Sequence, residues 1–408
     1  MVDLRSYVPR KIPRDAKLFL LSSGINGFSN GIFNVIIQLY YTSLGFEGSR
    51  LGDIFMMNPL GAAILTIPVG ILADRYGKSR IWLVGMCFSF AAFLIVVTSQ
   101  DFGMLRIAHL MFGISNAASV VFGPIYSGFF EKEDLDRAFG TMSFINITMM
   151  SAGNLMGHIP PMLMGGYSMS KTSAYYWTLM AGVVLSILNS PLWYMAIRNV
   201  KGPPRTDGFK IVLKSRSLVA KSTAFNFSSA LGRGIFFSLF PYYVYTRFGV
   251  ESDALGNLFM ASNIVMALAQ FSAPRISARF GNLRTSSVAI RMTMPFYAAI
   301  AFAPGFGWVT ALYVLRFGVG SFSSPLVGSF FMGNLEEEEK STANSINVMG
   351  AQVGSFLSPW LGGRLMDASL NLPIWVGLGI YSFFAFGYYP LMRTEERKRE
   401  EPEPEQSA

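Results

Sequence analysis

Long apolar stretches recur along the whole chain and are separated by short polar segments. Each stretch holds about eighteen residues or more, which is the length that a helix needs to cross the hydrocarbon core of a bilayer. The stretches lie near residues 18–43, 51–72, 81–98, 103–130, 139–160, 174–197, 218–246, 255–278, 285–304, 308–333, 343–366 and 374–392. The pattern therefore predicts an all-α polytopic membrane protein with twelve transmembrane helices.

A second pattern shows that the chain is built from two similar halves. The segment GILADRYGKSR at residues 70–80 returns as PRISARFGNLR at residues 274–284. Gly281 therefore follows Gly77 by 204 residues in a chain of 408. A repeat of this length in an apolar chain points to the duplicated halves of a transporter.

Six predicted spans in each half place both halves the same way up in the membrane. We expect two pseudo-symmetric six-helix bundles, at residues 1–197 and 218–392. The polar segment 198–217, which contains Pro203-Pro204, is expected to be a cytoplasmic linker. The charged tail 393–408 is expected to be disordered.

Composition and charge add the environment and the orientation. Hydrophobic residues make up 51% of the chain and charged residues only 14%, which is too few charges for the surface of a soluble protein of this size. If Met1 is cytoplasmic, the loops on the outer side hold only Arg50, Lys171, Arg247 and Arg364. The positive-inside rule therefore predicts a multi-pass protein of the plasma membrane with both termini in the cytoplasm. The net charge of +9 reflects this topology, and no nucleic-acid partner is expected.

The sequence shows little sign of enzyme chemistry. The chain has one cysteine, Cys87, and two histidines, His109 and His158. Neither a metal-ligand cluster nor a nucleophile paired with a base stands out. We therefore expect no enzymatic activity, no cofactor and no bound metal.

The loop between the second and third spans resembles the signature loop of the major facilitator superfamily (MFS), Gly-x-Leu-Ala-Asp-Arg-x-Gly-Arg/Lys. The residues that fit are Gly70, Leu72, Ala73, Asp74, Arg75, Gly77 and Lys78, whereas the second copy has Ala278 in place of the aspartate. The resemblance implies the MFS fold and a secondary transporter that works by alternating access. It also implies a monomer in membrane lipid, with a small-molecule substrate in a central cavity between the two halves.

The same resemblance suggests a gate on the cytoplasmic side. Cations of the signature loop are expected near the acidic segment 131–136, and those of its second copy near residues 336–339. Such ion pairs would close one state and open in the other; alternatively, the charges only anchor the loops at the headgroups. The predicted gate residues are Gly70, Asp74, Arg75, Gly77, Lys78, Arg80, Glu131, Arg279 and Arg284.

Amides form the first group of candidate substrate contacts. Asn26, Asn30, Asn34 and Gln38 recur every four residues in the first span and make one polar stripe. We interpret the stripe as a cavity wall that hydrogen-bonds a polar solute, although amides also join packed helices. Asn146 and Asn347, near the starts of the fifth and eleventh spans, are further candidates with the same alternative.

Arginines form the second group. Arg233 lies twelve residues beyond Lys221 and hence near mid-bilayer, and Arg316 lies inside the tenth span. An unpaired guanidinium at that depth costs about 2.5–3.5 kcal/mol on an insertion scale. The central parts of the spans contain no acidic residue, so the partner is either an anionic substrate or backbone and amide groups such as Asn226.

These residues favour transport of a small polar or anionic organic solute. The alternative is efflux of amphipathic drugs or lipids, which the 36 phenylalanines and 23 methionines would suit. Against efflux, the antiporter pattern of the family begins at Gly153 and Gly157 but is broken by His158 and Pro161. A remote alternative is a receptor or scaffold that has kept the fold and lost transport.

Overall fold

The regular secondary structure in the described part of the protein is entirely helical. The computed structural model describes residues 9, 11–198, 200, 213–336 and 338–400. The first repeat contains α1 (Arg14–Ser43), α2 (Gly48–Phe55), α3 (Met57–Tyr76), α4 (Lys78–Thr98), α5 (Phe102–Ala118), α6 (Phe122–Ser127), α7 (Leu135–Asn154), α8 (Ile159–Tyr167), α9 (Lys171–Leu188) and α10 (Ser190–Ile197). The second contains α11 (Arg216–Phe237), α12 (Phe240–Phe248), α13 (Ser252–Phe280), α14 (Asn282–Ile300), α15 (Phe306–Gly333), α16 (Lys340–Ala368) and α17 (Leu372–Glu400).

The helices follow the predicted apolar spans, several of which are built from two consecutive helices. Among the described residues, five helical segments are long and apolar enough to cross a membrane by length and composition alone: Gly48–Tyr76, Lys78–Thr98, Phe102–Ser127, Lys171–Ile197 and Leu372–Glu395. Most of the predicted linker and residues 401–408 of the predicted tail lie outside the described residues. The last helix, α17, continues eight residues beyond position 392, to Glu400.

The duplicated loop adopts the same turn in both repeats. Gly77 separates α3 from α4 with φ +99°, and Gly281 separates α13 from α14 with φ +79°. Side chains with a Cβ rarely adopt this left-handed region, whereas glycine enters it readily. Because an added Cβ would meet no atom within 4 Å at either position, the requirement for glycine comes from the backbone alone.

The helices group into two compact units that do not coincide with the sequence repeats. Unit 1 takes the described part of Met1–Gly208 together with Leu239–Asn263 and Pro359–Leu370. Unit 2 takes the described part of Phe209–Ser238, Ile264–Ser358 and Asn371–Ala408. Helices α13 and α16 therefore each contribute to both units.

The unit boundary in α16 falls at a proline. Pro359 lacks the N–H that would bond to the carbonyl of Ser355 in a regular helix. The hydroxyl of Ser358 donates to that carbonyl at 3.1 Å instead. The carbonyl therefore keeps a partner at the point where the helix passes from one unit to the other.

Aromatic residues fill the core of unit 1 near the beginning of α1. The ring of Phe19 stacks on Tyr126 at a centroid distance of 5.1 Å and meets Trp193 edge-on at 4.9 Å. In unit 2, Phe225 of α11 packs against Tyr388 of α17 at 4.3 Å. Large apolar side chains also stand exposed on the outside of many helices, including Leu94, Phe144, Leu188 and Phe383. Such a surface suits lipid rather than water.

Candidate functional site

The most unusual group in unit 2 is the guanidinium of Arg316 on α15. The residue is 5% exposed, and its Nε and Nη2 atoms have no hydrogen-bond partner. Its Cζ lies 3.7 Å from the ring centroid of Phe237 and 5.0 Å from that of Tyr297. The aromatic faces stabilise the cation, but they leave its in-plane donors unsatisfied.

Neighbouring helices hold the rings around Arg316 in place. The hydroxyl of Tyr297 donates to the carbonyl of Gly232 on α11 at 3.2 Å. Tyr313, one turn before Arg316, stacks on Phe317 at a centroid distance of 4.8 Å. The cation therefore sits in an aromatic cage contributed by α11, α14 and α15.

Arg233 on α11 differs from Arg316 in its surroundings. Its side chain is exposed, and its Nε donates to the backbone carbonyl of Ser229 at 3.0 Å. The two charges are close enough for Arg233 to act electrostatically on Arg316. In the described part of the chain, neither arginine forms an ion pair with a carboxylate. Unit 2 thus carries two like charges near one another, one caged and one accessible.

The amide candidate of unit 2 is already engaged in helix packing. Asn347 on α16 accepts a hydrogen bond from Asn226 on α11 at 2.6 Å, and the hydroxyl of Ser222 lies 3.3 Å from the same oxygen. Asn347 is also buried. The structure thus gives this residue the interhelical contacts that the sequence left as an alternative.

The polar stripe of α1 lies in unit 1 and divides into two parts. Asn26, Asn30 and Asn34 are exposed, and the Asn30 amide donates to Asn26 at 2.8 Å. Gln38 is buried at 8% exposure. Because a helix advances 100° per residue, twelve residues rotate Gln38 by about 120° from Asn26. The exposed wall therefore consists of three asparagines.

Asn146 lies where α7 packs against α1. Its amide nitrogen lies 3.5 Å from both the carbonyl and the hydroxyl oxygen of Ser23. The two helices are very close here, since a Cβ added to Gly27 would come within 2.9 Å of the Asn146 carbonyl oxygen. Asn146 thus contributes to helix packing as well as to the polar region beside α1.

Apart from Glu131, which follows α6, the predicted gate residues lie in α3, α4, α13 and α14 or in the glycine turn at Gly77. Asp74, Arg75 and Arg80 are exposed, and no ion pair in the described part of the chain joins this loop to the acidic segment 131–136. Asp134 of that segment instead pairs with Arg137, three residues further along, at 3.4 Å. The structure brings these groups to one end of unit 1 without pairing them.

In unit 2 the predicted acidic partners bind elsewhere. Lys214 contacts Glu336 at 2.6 Å and Glu338 at 3.3 Å, and these carboxylates raise the pKa of the Lys214 ammonium above its ordinary value. Arg284 instead lies with its Nε 3.5 Å from the hydroxyl of Tyr389. Arg279 is exposed. The structure therefore pairs the acidic segment with the end of the linker.

Buried Glu339 completes this attachment of the linker. It accepts the backbone N–H groups of Lys214 at 2.7 Å and Ser215 at 2.8 Å, and the Ser215 hydroxyl bonds to its other oxygen at 2.5 Å. Burial acts to raise the pKa of Glu339, but the hydrogen bonds from Ser215, Lys214 and Glu336 outweigh it and hold the pKa below its ordinary value.

Unit 1 contains a polar network that sequence reasoning missed. We call the face of unit 1 on which α1 ends and α2 begins the distal face. There Lys171 binds Glu251 at 2.7 Å and Arg364 binds Asp53 at 2.8 Å, while Asp367 accepts the backbone N–H of Ser49 at 3.0 Å. Each contact joins segments from the two sequence repeats. The acidic residues were visible in the sequence, but their pairing across 80 to 318 positions was not.

Glycines allow the backbones of this distal network to approach closely. A Cβ added to Gly363 of α16 would lie 2.1 Å from the carbonyl oxygen of Gly48, and one added to Gly256 of α13 would lie 2.3 Å from that of Asn154. Real Cβ atoms do not approach so closely, so any larger residue must separate the helices. Gly52 and Gly256 occupy equivalent positions in the two repeats, and this repetition was the signal available in the sequence.

Comparison with known proteins decides the family. The profile of the Major Facilitator Superfamily matches residues 19–226 and again residues 222–408. The chain belongs to the major facilitator superfamily. It is therefore a transport protein with membrane-spanning helices, and the family and fold that the sequence predicted are confirmed.

Relatives and solved structures agree with this assignment. The quinolone resistance protein NorA of Staphylococcus aureus (strain MSSA476) is 22% identical over 375 residues, which cover 89% of this chain and 91% of NorA. A crystal structure of a bacterial homologue of the iron transporter ferroportin has a TM-score of 0.74 at 13% identity, covering 94% of this chain and 100% of that one. A crystal structure of a mutant of the nucleoside transporter NupG has a TM-score of 0.70 at 13% identity, covering 94% of this chain and 99% of that one. At these identities the solved structures show the fold alone.

Proposed function

We propose that this protein is a secondary transporter for a small anionic or polar organic solute, and that Arg233 and Arg316 bind the negative charge of the substrate. The observation that carries the proposal is the buried Arg316 guanidinium, whose Nε and Nη2 have no partner. We infer further that transport proceeds by alternating access, the mode that its family resemblance implies.

The energetics of Arg316 favour an anionic ligand. An unpaired arginine in the middle of a membrane helix costs about 2.5–3.5 kcal/mol, and a desolvated cation–π contact returns about 2 kcal/mol. Aromatic contacts do not use the in-plane donors of the guanidinium. A carboxylate or phosphate would accept those donors in short, charge-assisted hydrogen bonds.

The exposed asparagines of α1 would contact the neutral groups of the substrate. Asn26, Asn30 and Asn34 each carry an amide with both donor and acceptor atoms, and the Asn30–Asn26 bond uses only one donor and one acceptor. Hydroxyl or amide groups on a solute could bind the remaining atoms. Gln38, Asn146 and Asn347 belong to the same proposal in a lesser role, since they are buried or engaged in packing.

We also propose that the loops of the two glycine turns form the cytoplasmic gate, with both termini in the cytoplasm of the plasma membrane. Exposed Asp74, Arg75 and Arg80 are available for ion pairs in another conformational state. Lys78 and Glu131 complete the set in unit 1, whereas Arg279 and Arg284 form it in unit 2. Gly77 supplies the turn. Gly70 belongs to the proposed gate by its place in the loop alone, since an added Cβ there would meet no atom within 4 Å.

Drug efflux is the second candidate function. NorA, a relative over most of the chain, is named for quinolone resistance. The many phenylalanines and methionines would suit an adaptable site for amphipathic compounds. A receptor or scaffold without transport remains a remote third alternative.

Counterflow in proteoliposomes tests the proposal. Wild-type protein and the Arg316→Gln and Arg233→Gln variants would be assayed with radiolabelled organic anions, a neutral sugar and a quinolone. Arg291→Gln is the matched control, because Arg291 also lies in unit 2 but donates to Ala385 and covers the ring of Phe386.

Saturable anion exchange that Arg316→Gln and Arg233→Gln lose and the control keeps would support the proposal. Quinolone transport that all variants retain would refute the anion site and favour efflux. No transport of any tested class, in protein that is folded and monodisperse, would favour the scaffold alternative.

A further inference from the structure

Two arginines on the distal face of unit 1 share one aromatic ring. Arg50 of α2 has its Cζ 5.9 Å from the ring centroid of Phe102, and Arg106 of α5 has its Cζ 5.6 Å from the same centroid. Phe102 also packs against Phe46 at 6.0 Å, so the ring is supported from the loop before α2. The fold therefore concentrates two positive charges from different helices at one place.

These two charges lack the acidic partners that neighbouring cations have. Lys171 and Arg364 on the same face form ion pairs with Glu251 and Asp53. No ion pair in the described part of the chain includes Arg50 or Arg106. The nearest carboxylate in sequence to Arg106, that of Asp101, accepts the backbone N–H of Met104 at 2.9 Å.

Arg106 has a donor that the protein itself does not bind. Its Nε is shielded from solvent and has no hydrogen-bond partner. Leaving a charged donor shielded and unbonded costs more than leaving a neutral one. An oxygen-rich anion would satisfy Arg106 and would also be attracted by Arg50.

The surroundings of the pair indicate that the anion belongs to a lipid. Met104 and Ile107 flank Arg106 on α5 and are 46% and 48% exposed. Arg106 lies only about one helical turn inside the beginning of α5, which is where a headgroup meets the hydrocarbon region. The ligand should therefore have a negative oxygen-rich head and an apolar tail.

We propose that Arg50 and Arg106 bind the phosphodiester group of an anionic phospholipid at the distal face, with the lipid chains lying over Met104 and Ile107. Arginine suits this role because its planar guanidinium matches phosphate oxygens in a bidentate manner. The site is separate from the proposed substrate site in unit 2, so either proposal can fail without the other.

The site adjoins the distal network of unit 1. Arg50 follows Ser49, whose N–H binds Asp367, and it precedes Asp53, which binds Arg364. A bound lipid would hold α2 in place and so stabilise these contacts with α16. Lipid composition would thereby act on the distal network.

Binding is tested by native mass spectrometry of the purified full-length protein in detergent. Phosphatidylglycerol, phosphatidylcholine and inorganic phosphate would be titrated separately into wild type, Arg50→Gln, Arg106→Gln and the double variant. Arg247→Gln is the matched control, because Arg247 also lies in unit 1 but contacts the Tyr243 hydroxyl and the Phe248 ring. Each single substitution, Arg50→Gln or Arg106→Gln, should weaken phosphatidylglycerol binding about fivefold, since one arginine near anionic lipid contributes about 1 kcal/mol to binding.

The expected result is selective phosphatidylglycerol binding that falls in both single variants, falls further in the double variant and is unchanged in the control. Equal binding of phosphatidylcholine, or an unchanged affinity of Arg106→Gln, would overturn the proposal. Inorganic phosphate that binds as tightly as the lipid would overturn its assignment to a lipid. If a glutamine variant does not fold, Arg106→Lys should still bind more weakly than wild type, because lysine keeps the charge but not the bidentate geometry.

Discussion

The close contact between Gly363 and Gly48 makes the distal network sensitive to a single methyl group. An alanine Cβ at position 363 would lie 2.1 Å from the Gly48 carbonyl oxygen and 3.1 Å from the Cα of Ser49. Because an ordinary contact of this kind needs about 3.4 Å, the two backbones must separate by roughly 1.3 Å. We therefore expect Gly363→Ala to open the contact between α2 and α16.

The expected size follows from the bonds that the separation would break. The Ser49 N–H to Asp367 bond is 3.0 Å long and involves a charged acceptor, so its loss alone should cost about 1.5 kcal/mol or more. The Arg364–Asp53 pair is partly exposed and adds at most about 1 kcal/mol. A total near 1.5–2.5 kcal/mol corresponds to roughly thirteen- to seventyfold more of the opened form.

A buried reporter can measure this opening. Ser252 is fully buried, and its hydroxyl donates to the Gly157 carbonyl at 2.7 Å. It directly follows Glu251, which forms the Lys171 ion pair of the distal network. In a Cys87→Ser background, a Ser252→Cys thiol should react slowly with a membrane-impermeant maleimide. Adding Gly363→Ala should raise that rate at least tenfold if the network opens as a whole.

The control substitution is Gly165→Ala in α8. An added Cβ at Gly165 meets no atom within 4 Å, so this change should leave the labelling rate as it was. An unchanged rate in Gly363→Ala, in protein with a normal melting temperature, would refute the reasoning. It would show either that the Gly363–Gly48 contact opens without the Ser252–Gly157 contact, or that α2 moves without strain.

Three further outcomes are expected. Lys171→Gln should raise the same labelling rate about two- to fivefold, and exchanging the charges of Lys171 and Glu251 should restore it. Glu339→Gln should lower the melting temperature at pH 7; because the pKa of Glu339 is held below its usual value of 4.5, the difference from wild type should shrink as the pH falls below that value. Phe237→Leu should remove the aromatic face beneath Arg316 and lower the free energy of unfolding by about 1–2 kcal/mol.

The fold was predictable because its signals are local or repeated. Helix length follows from the apolar stretches, and the turns at Gly77 and Gly281 follow from one motif written twice. Both glycines have positive φ because a sharp reversal between two helices needs it. The exposed face of Asn26, Asn30 and Asn34 follows from helical periodicity in the same way.

The candidate site was predictable only in part. Sequence reasoning placed Arg233 first because of its depth, whereas the structure distinguishes Arg316 as the buried cation. The cage around Arg316 could not be predicted, because it depends on the packing of α15 against Tyr297 of the preceding helix and against Phe237 of α11, which is more distant in the sequence. The distal network depends likewise on long-range pairing, as between Asp53 and Arg364.

The proline in α16 has a consequence for conformational change. Bending a regular helix breaks a backbone hydrogen bond, but at Pro359 that bond is already absent and the Ser355 carbonyl is satisfied by the Ser358 hydroxyl. As the helix axis tilts, a change in the rotamer of Ser358 is enough to keep its hydroxyl on the Ser355 carbonyl. The helix can therefore bend at Pro359 without losing a further backbone hydrogen bond.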